Sequence, residues 1–112
     1  MIKEDGSVYL IAEIGGNHEG DFEKAKELLI DAASSGADAV KFQIYKGDTL
    51  VNKKIDPERV KHFDRFALTT EQYLELAEMC KKRNVDFLAS VWDINLIELF
   101  ADTMPFYKVG SG

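Results

Sequence analysis

The chain has 112 residues, of which 46% are hydrophobic and 30% charged, and its formal net charge at pH 7 is −6. This acidic balance argues against general nucleic-acid binding, which depends on cations that meet phosphates. No apolar run approaches the roughly 20 residues that would span a bilayer, and the N-terminus has no secretory signal. We therefore expect a cytoplasmic protein with no membrane partner, and the single cysteine, Cys80, suits a reducing compartment.

The first part of the chain predicts a strand, a helix and a second strand. Residues 8–14 form a nearly continuous apolar run, which is typical of a strand covered on both faces. A glycine-rich stretch follows, and Asp21 can cap a helix that Gly36 ends. Residues 37–45 predict the second strand, so the two strands form a right-handed parallel unit.

A long polar stretch separates the second strand from the next main helix. Residues 46–68 exceed the few residues typical of a βα connection, which indicates a functional or mobile segment. Within it, Asp56 and Pro57 favour the start of a short helix. Thr69, with Gln72 three residues later, forms a capping box, which predicts that a helix begins there.

The last part of the chain predicts two more strands and the helix between them. Residues 86–92 are the third strand, Asp93 caps the helix, Pro105 ends it, and residues 106–109 open a fourth strand. This alternation predicts an α/β fold of parallel βα units. A complete TIM-type (β/α)8 barrel needs about 250 residues, so we interpret residues 1–112 as the N-terminal half of one barrel domain.

Polar side chains gather at the predicted carboxyl ends of the strands, where parallel α/β folds place their sites. They are Glu13, Asn17, Lys41, Gln43, Ser90, Asp93, Lys108 and Ser111. Lys41 lies inside an apolar strand, where an unpaired ammonium is costly to bury. It either forms a salt bridge with Glu13 of the neighbouring strand or binds an anion. We favour the anion, because Lys108 takes the equivalent place on the fourth strand.

The roles of the acid and of the histidines are less defined by the sequence. Glu13, beside two glycines, is a candidate general acid or base, a hydroxyl ligand, or the partner of Lys41. His18 is interpreted as a residue that orients its glycine-rich turn, and His62 has no second ligand at metal spacing. We therefore assign no metal ligand in this chain.

Three motifs resemble the N-acetylneuraminate (sialic acid) synthase family. They are IAEIGGNHEG at residues 11–20, GADAVKFQ at residues 36–43 and YKVGSG at residues 107–112. Their order and spacing make the likeness specific. The resemblance implies a (β/α)8 barrel that condenses phosphoenolpyruvate with an N-acetylmannosamine-type amino sugar, giving a nonulosonic acid and phosphate.

The same resemblance implies roles for the residues at the strand ends. Lys41, Lys108 and Ser111 would hold the phosphate and carboxylate of phosphoenolpyruvate. Glu13 would lie beside the reacting carbons, and Asn17 and Gln43 would shape the site and the sugar pocket. Where the family often reads STPF, residues 89–92 are ASVW, so Ser90 is the hydroxyl expected at that strand end. A divalent metal, manganese or magnesium, is also implied, with ligands on later strands.

Two other functions stay open from the sequence alone. One is a non-catalytic α/β module that binds a phosphorylated ligand, and the other is an assembly fragment. Half a barrel leaves two strand edges unpaired, so we also predict that the chain forms a homo-oligomer.

Overall fold

The computed structural model describes residues 2–45 and 54–108 of the chain. In these ranges the elements are β1 (Ile11–Gly15), α1 (Phe22–Ser34), β2 (Ala39–Ile44), α2 (Pro57–Phe66), α3 (Thr70–Lys82), β3 (Asp86–Val91), α4 (Ile94–Phe100) and a 3-10 helix (Ala101–Thr103). Each strand is followed by at least one helix. The predicted α/β fold of βα units is therefore confirmed.

The strands of the described residues form one parallel sheet in the order β1-β2-β3. Glu13 of β1 lies opposite Lys41 of β2, and Gln43 of β2 lies opposite Ser90 of β3. Because the strands run in the same direction, their carboxyl ends share one edge of the sheet. The register of β1 against β2 shifts between Glu13 and Gly15, so the sheet is bulged at that edge.

The two faces of the sheet differ in chemistry. Val40, Phe42 and Ile44 of β2 are buried in the hydrophobic core, which also contains side chains of α1 and α3. Successive side chains of a strand point to opposite faces, so Lys41 and Gln43 point away from this core. The helices therefore cover one face, and the polar side chains of β2 lie on the other.

The predicted helix starts are confirmed by side chains that accept backbone N–H groups. Asp21 accepts an N–H of the first turn of α1 at 3.2 Å. The hydroxyl of Thr69 accepts the N–H of Gln72 at 3.1 Å, and the side chain of Gln72 accepts the N–H of Thr69 at 2.9 Å. Asp56 and Asp93 cap α2 and α4 in the same manner.

The strand limits predicted from the sequence were partly wrong. β1 begins at Ile11 and not at residue 8, because Val8 pairs with Ile2 in an isolated antiparallel bridge. β2 is shorter at both ends than the predicted residues 37–45. Val8, Leu10 and Ile11 are also exposed, so in the described residues this apolar run is not covered on both faces as predicted. Backbone pairing decides where a strand begins and ends.

The predicted fourth strand is not present as a strand within the described residues. Lys108 makes an isolated parallel bridge with Ser90, and Val109 lies outside the described residues. A strand requires successive ladder bonds, which one bridge does not supply. The predicted direction is nevertheless the observed one, because the bridge to Ser90 of β3 is parallel.

Candidate functional site

Glu13 and Lys41 form an ion pair whose carboxylate lies beside Gly15, the last residue of β1. The Nζ atom of Lys41 lies 2.5 Å from Oε2 of Glu13. The Lys41 side chain is 12% exposed and that of Glu13 is 51% exposed, so the acid reaches solvent more freely than the base. The structure thus contains the salt bridge that was one of the two interpretations of Lys41. Anion binding at Lys41 stays a prediction.

Gly15 provides the room in which the Glu13 carboxylate lies. Its φ of +55° is a left-handed conformation, which glycine adopts at little cost. A Cβ at this position would lie 3.2 Å from Oε1 of Glu13 and 4.0 Å from Cδ of Gln43. A residue with a Cβ would therefore crowd the Glu13 carboxylate beside the bulge.

Gln43, Ser90 and Lys108 form a second row, two residues closer to the strand ends than Lys41. Gln43 is paired in register with Ser90, and Ser90 is bridged to Lys108. Ser90 is buried, whereas Lys108 is exposed. With Glu13 and Lys41 in the row below, the structure places four predicted site residues on adjacent strands and bridges a fifth, Lys108, to β3. Ser111 lies outside the described residues, so its predicted role stays a prediction.

Asn17 has a structural contact in the turn that follows β1. Its side-chain Nδ2 donates to the backbone oxygen of Ile14 at 2.8 Å, and its backbone N–H donates to the same oxygen at 3.0 Å. Both bonds close the turn at the end of the strand. A contact between Asn17 and a sugar stays a prediction.

His18 orients the loop between β1 and α1, as the sequence predicted. Its side chain is buried, and its Nδ1 accepts the backbone N–H of Gly20 at 3.0 Å. Burial is the main cause that lowers the pKa of His18, and the nearby Lys24 adds to the effect. A neutral ring that accepts at Nδ1 carries its proton on Nε2. The loop-orienting interpretation of His18 is confirmed.

Gly20 brings this loop against the end of α2, a contact that sequence reasoning missed. Its φ is +79°, and a Cβ at this position would lie 2.2 Å from the backbone oxygen of Arg65. No side chain fits at that distance. The contact joins the first βα loop to the long connection after β2, on the side of the sheet where the strands end.

Tyr73 is a second contact that the sequence did not reveal. Its hydroxyl donates to the backbone oxygen of Gln43 at 2.7 Å and accepts the N–H of Leu68 at 3.4 Å. The ring is buried, and burial raises the pKa of the hydroxyl. No local pattern in the sequence could show which backbone oxygen the hydroxyl would reach.

Other candidate features lie away from this edge or carry no chemistry. Residues 2–45 and 54–108 contain no group of three His, Cys, Asp or Glu side chains that could hold a metal ion. No helix in these ranges is long and apolar enough to cross a bilayer.

Cys80 is buried, and burial raises the pKa of its thiol to about 12. A cavity of about 520 Å³ lies between α3 and the start of β3, at the opposite end of the sheet.

The fold and the polar strand ends place the chain among parallel α/β barrel proteins. More specifically, the chain belongs to the NeuB family, whose family model matches residues 28–112. The resemblance stated from the sequence motifs is confirmed.

Relatives and a solved structure agree with this assignment. The chain is 39% identical to an N-acetylneuraminate-9-phosphate synthase of Drosophila melanogaster, a match that covers 95% of this chain and 32% of that protein. It is 38% identical to an N,N'-diacetyllegionaminic acid synthase of Legionella pneumophila, over 99% of this chain and 36% of that protein. The chain therefore spans about a third of the length of these curated relatives.

The solved structure is the N-acetylneuraminic acid (sialic acid) synthetase of Leptospira borgpetersenii in complex with citrate. The TM-score is 0.81 and the identity 28%, and the match covers 91% of this chain and 35% of that one. That synthetase is a TIM barrel, of which this chain matches a part. The predicted TIM-type fold class is confirmed.

Proposed function

We propose that the protein to which this chain belongs condenses phosphoenolpyruvate with an N-acetylmannosamine-type sugar, forming a nonulosonic acid and phosphate. The observation that carries the proposal is the Glu13–Lys41 pair, with Gln43 beside it, at the carboxyl edge of a NeuB-family sheet. The names of two relatives support it, since both are synthases of such acids.

Two lysines are the proposed anion ligands. Phosphoenolpyruvate carries a phosphate and a carboxylate, and ammonium groups bind such oxygens as charged hydrogen-bond donors. Lys41 lies on β2, and Lys108 makes an isolated bridge with Ser90 of β3, so the two lysines come from different segments of the chain. Ser111 is proposed to add its hydroxyl to this anion site.

The reaction joins the methylene carbon of phosphoenolpyruvate to the aldehyde carbon of the open-chain sugar. Water adds to the phosphate-bearing carbon, and the carbon–oxygen bond to phosphate breaks to leave the keto acid. The aldehyde oxygen becomes a hydroxyl and needs a proton. We propose that Glu13 moves this proton or binds the hydroxyl, because its carboxylate is half exposed at the strand ends. Gln43 and Asn17 are proposed to contact the sugar.

A divalent metal, manganese or magnesium, is also part of the proposal. The described residues do not fit a complete metal centre, because they include no group of three side chains suited to hold one. We therefore propose that its ligands come from other parts of the protein. The steps assigned to Glu13 and Lys41 do not depend on where the metal lies.

A condensation assay on the longest protein that the gene encodes tests the proposal. Phosphoenolpyruvate is supplied with manganese or magnesium and with N-acetylmannosamine, its 6-phosphate or a diacetamido sugar in turn. We expect equal amounts of phosphate and nonulosonic acid with at least one acceptor. Formation of no such acid with any of these acceptors would contradict the synthase function. If phosphoenolpyruvate then still binds, the result would favour a non-catalytic binding protein.

Location and assembly are further proposals. We propose a cytoplasmic protein, because its single cysteine is buried and unpaired, and fractionation of cells tests this.

We also propose a homo-oligomer. β1 lies at the edge of the described sheet, with Leu10 and Ile11 exposed there. Sedimentation that shows only a monomer at high concentration would contradict the oligomer.

A further inference from the structure

The Glu13 carboxylate is paired with the Lys41 ammonium, which is the cation that an anionic substrate would need. Lys41 is largely shielded from solvent, with 12% of its side chain exposed, and its Nζ lies 2.5 Å from the Glu13 carboxylate. An incoming phosphate or carboxylate would meet that ammonium from the side that remains open. It would then lie close to a group of its own charge, and like charges at such a distance repel each other.

The two members of the pair differ in how easily they can move. Lys41 lies within a strand that is paired on both sides, by β1 and β3. Glu13 lies next to a bulge of β1, and 51% of its side chain is exposed. If Glu13 rotates into water as an anion arrives, the anion replaces the carboxylate at the shielded ammonium and the carboxylate becomes solvated, whereas rotation of Lys41 would take the ammonium out of its shielded position. Glu13 is therefore the member of the pair that moves when an anion binds.

We propose that an anionic substrate binds Lys41 by displacing the Glu13 carboxylate, so that Glu13 is an internal competitor of the anion. The inference rests on the proposed function, which supplies phosphoenolpyruvate as the anion. It follows that Glu13 lowers the affinity of the site for phosphoenolpyruvate even though it serves the reaction. Once released from Lys41, the Glu13 carboxylate would lie beside the bound anion, at the place where the sugar would bind.

The test is calorimetric titration of phosphoenolpyruvate, without sugar, into the longest protein that the gene encodes. Glu13→Gln and Glu13→Ala both remove the competing charge. We expect each to bind phosphoenolpyruvate about fivefold more tightly than the wild type, which corresponds to about 1 kcal/mol for a partly exposed ion pair. The alanine variant is needed because the amide of glutamine could itself donate to the anion. Inorganic phosphate, titrated in parallel, should show the same direction.

Glu19→Gln is the matched control. Glu19 lies in the loop after β1 and is 3.9 Å from Lys24, so this variant changes the charge nearby without touching Lys41. Its affinity for phosphoenolpyruvate should equal that of the wild type within a factor of about two, as expected for a screened surface charge.

The outcomes separate this inference from the proposed function. If the wild type binds phosphoenolpyruvate and Lys41→Gln weakens that binding, while neither Glu13 variant tightens it, the competition is disproved and the synthase function is unaffected. Equal tightening by Glu19→Gln would also overturn it, since the effect would then be one of net charge. If the wild type neither binds phosphoenolpyruvate nor forms product, the proposed function itself fails.

Discussion

The two ends of the sheet use their charged side chains in different ways. At the amino end, the Asp38 carboxylate accepts the N–H of Leu10 at 2.8 Å and pairs with Lys3 at 2.5 Å. The Tyr9 hydroxyl donates to Asp86 at 2.5 Å. The hydrogen bond from the Leu10 N–H is the main cause that lowers the pKa of Asp38, and the hydrogen bond from Lys3 is the second. Burial is the main cause that raises the pKa of Tyr9. These contacts connect the segment before β1 to the starts of β2 and β3.

Toward the carboxyl end, the Glu13 carboxylate pairs with Lys41. Among its described contacts, unlike those of Asp38, there is no backbone N–H. The Glu13 side chain is half exposed, so water and ligands can reach it. The comparison indicates that the amino end stabilises the fold and that the carboxyl end is available for chemistry. Parallel barrels in general divide these tasks in the same way.

The largest expected effect comes from Lys41. Lys41→Gln should reduce the proposed condensation about a thousandfold, or ~4 kcal/mol of transition-state stabilisation, because it removes the proposed cationic ligand of the substrate phosphate or carboxylate. Lys3→Gln is the matched change at the amino end, where the ion pair has the same length. It should leave the rate of phosphate release within about twofold, as expected for a surface pair. Equal losses in both variants would refute the division between the two ends.

The next effect concerns the contact between the first loop and α2. Gly20→Ala should lower the free energy of unfolding by about 3 kcal/mol, because its φ is +79° and its Cβ would overlap the oxygen of Arg65. Gly6→Ala is the control, since φ is +86° there but nothing lies within 4 Å. We expect about 1 kcal/mol for Gly6→Ala, measured by urea unfolding. Similar losses would show that the contact with Arg65 is unimportant.

A smaller effect separates two tyrosines at opposite ends of the sheet. Tyr73→Phe and Tyr9→Phe each remove one hydroxyl that donates to an oxygen, and each should cost about 1 kcal/mol of stability. Only Tyr73 holds the backbone of Gln43, so only Tyr73→Phe should raise the KM for the sugar. Steady-state kinetics and thermal unfolding of both variants check this. An unchanged KM in Tyr73→Phe would show that Gln43 is positioned without it.

The smallest effect is the pH dependence that His18 adds to stability. Its pKa is lowered in the folded protein by burial, so the unfolded chain takes up a proton first. The contribution of neutral His18 is complete above about pH 6.5, the usual value for histidine. This contribution to stability is lost as the pH falls from about 6.5 through the pKa that His18 has in the folded protein. His18→Asn keeps an acceptor for the Gly20 N–H and should flatten the stability profile below about pH 6.5. An unchanged profile would contradict this account.

Much of the architecture was predictable from local patterns. The caps at Asp21, Thr69 and Asp93 were recognised because a cap and the N–H groups it accepts lie within a few residues. The polar residues at the strand ends were recognised because they interrupt apolar runs. The strand limits were less accurate, since Val8 is apolar but pairs with Ile2 and not with β2.

The chain by itself therefore determined the order of strands and helices, the helix starts and the candidate residues at the carboxyl edge, because each depends on neighbours along the sequence. Tertiary structure decided that Glu13 faces Lys41, that Tyr73 reaches Gln43 across 30 residues, and that Gly20 meets Arg65. These contacts depend on strand register and on helix packing, and a register shift of one residue in β1 would turn Glu13 away from Lys41.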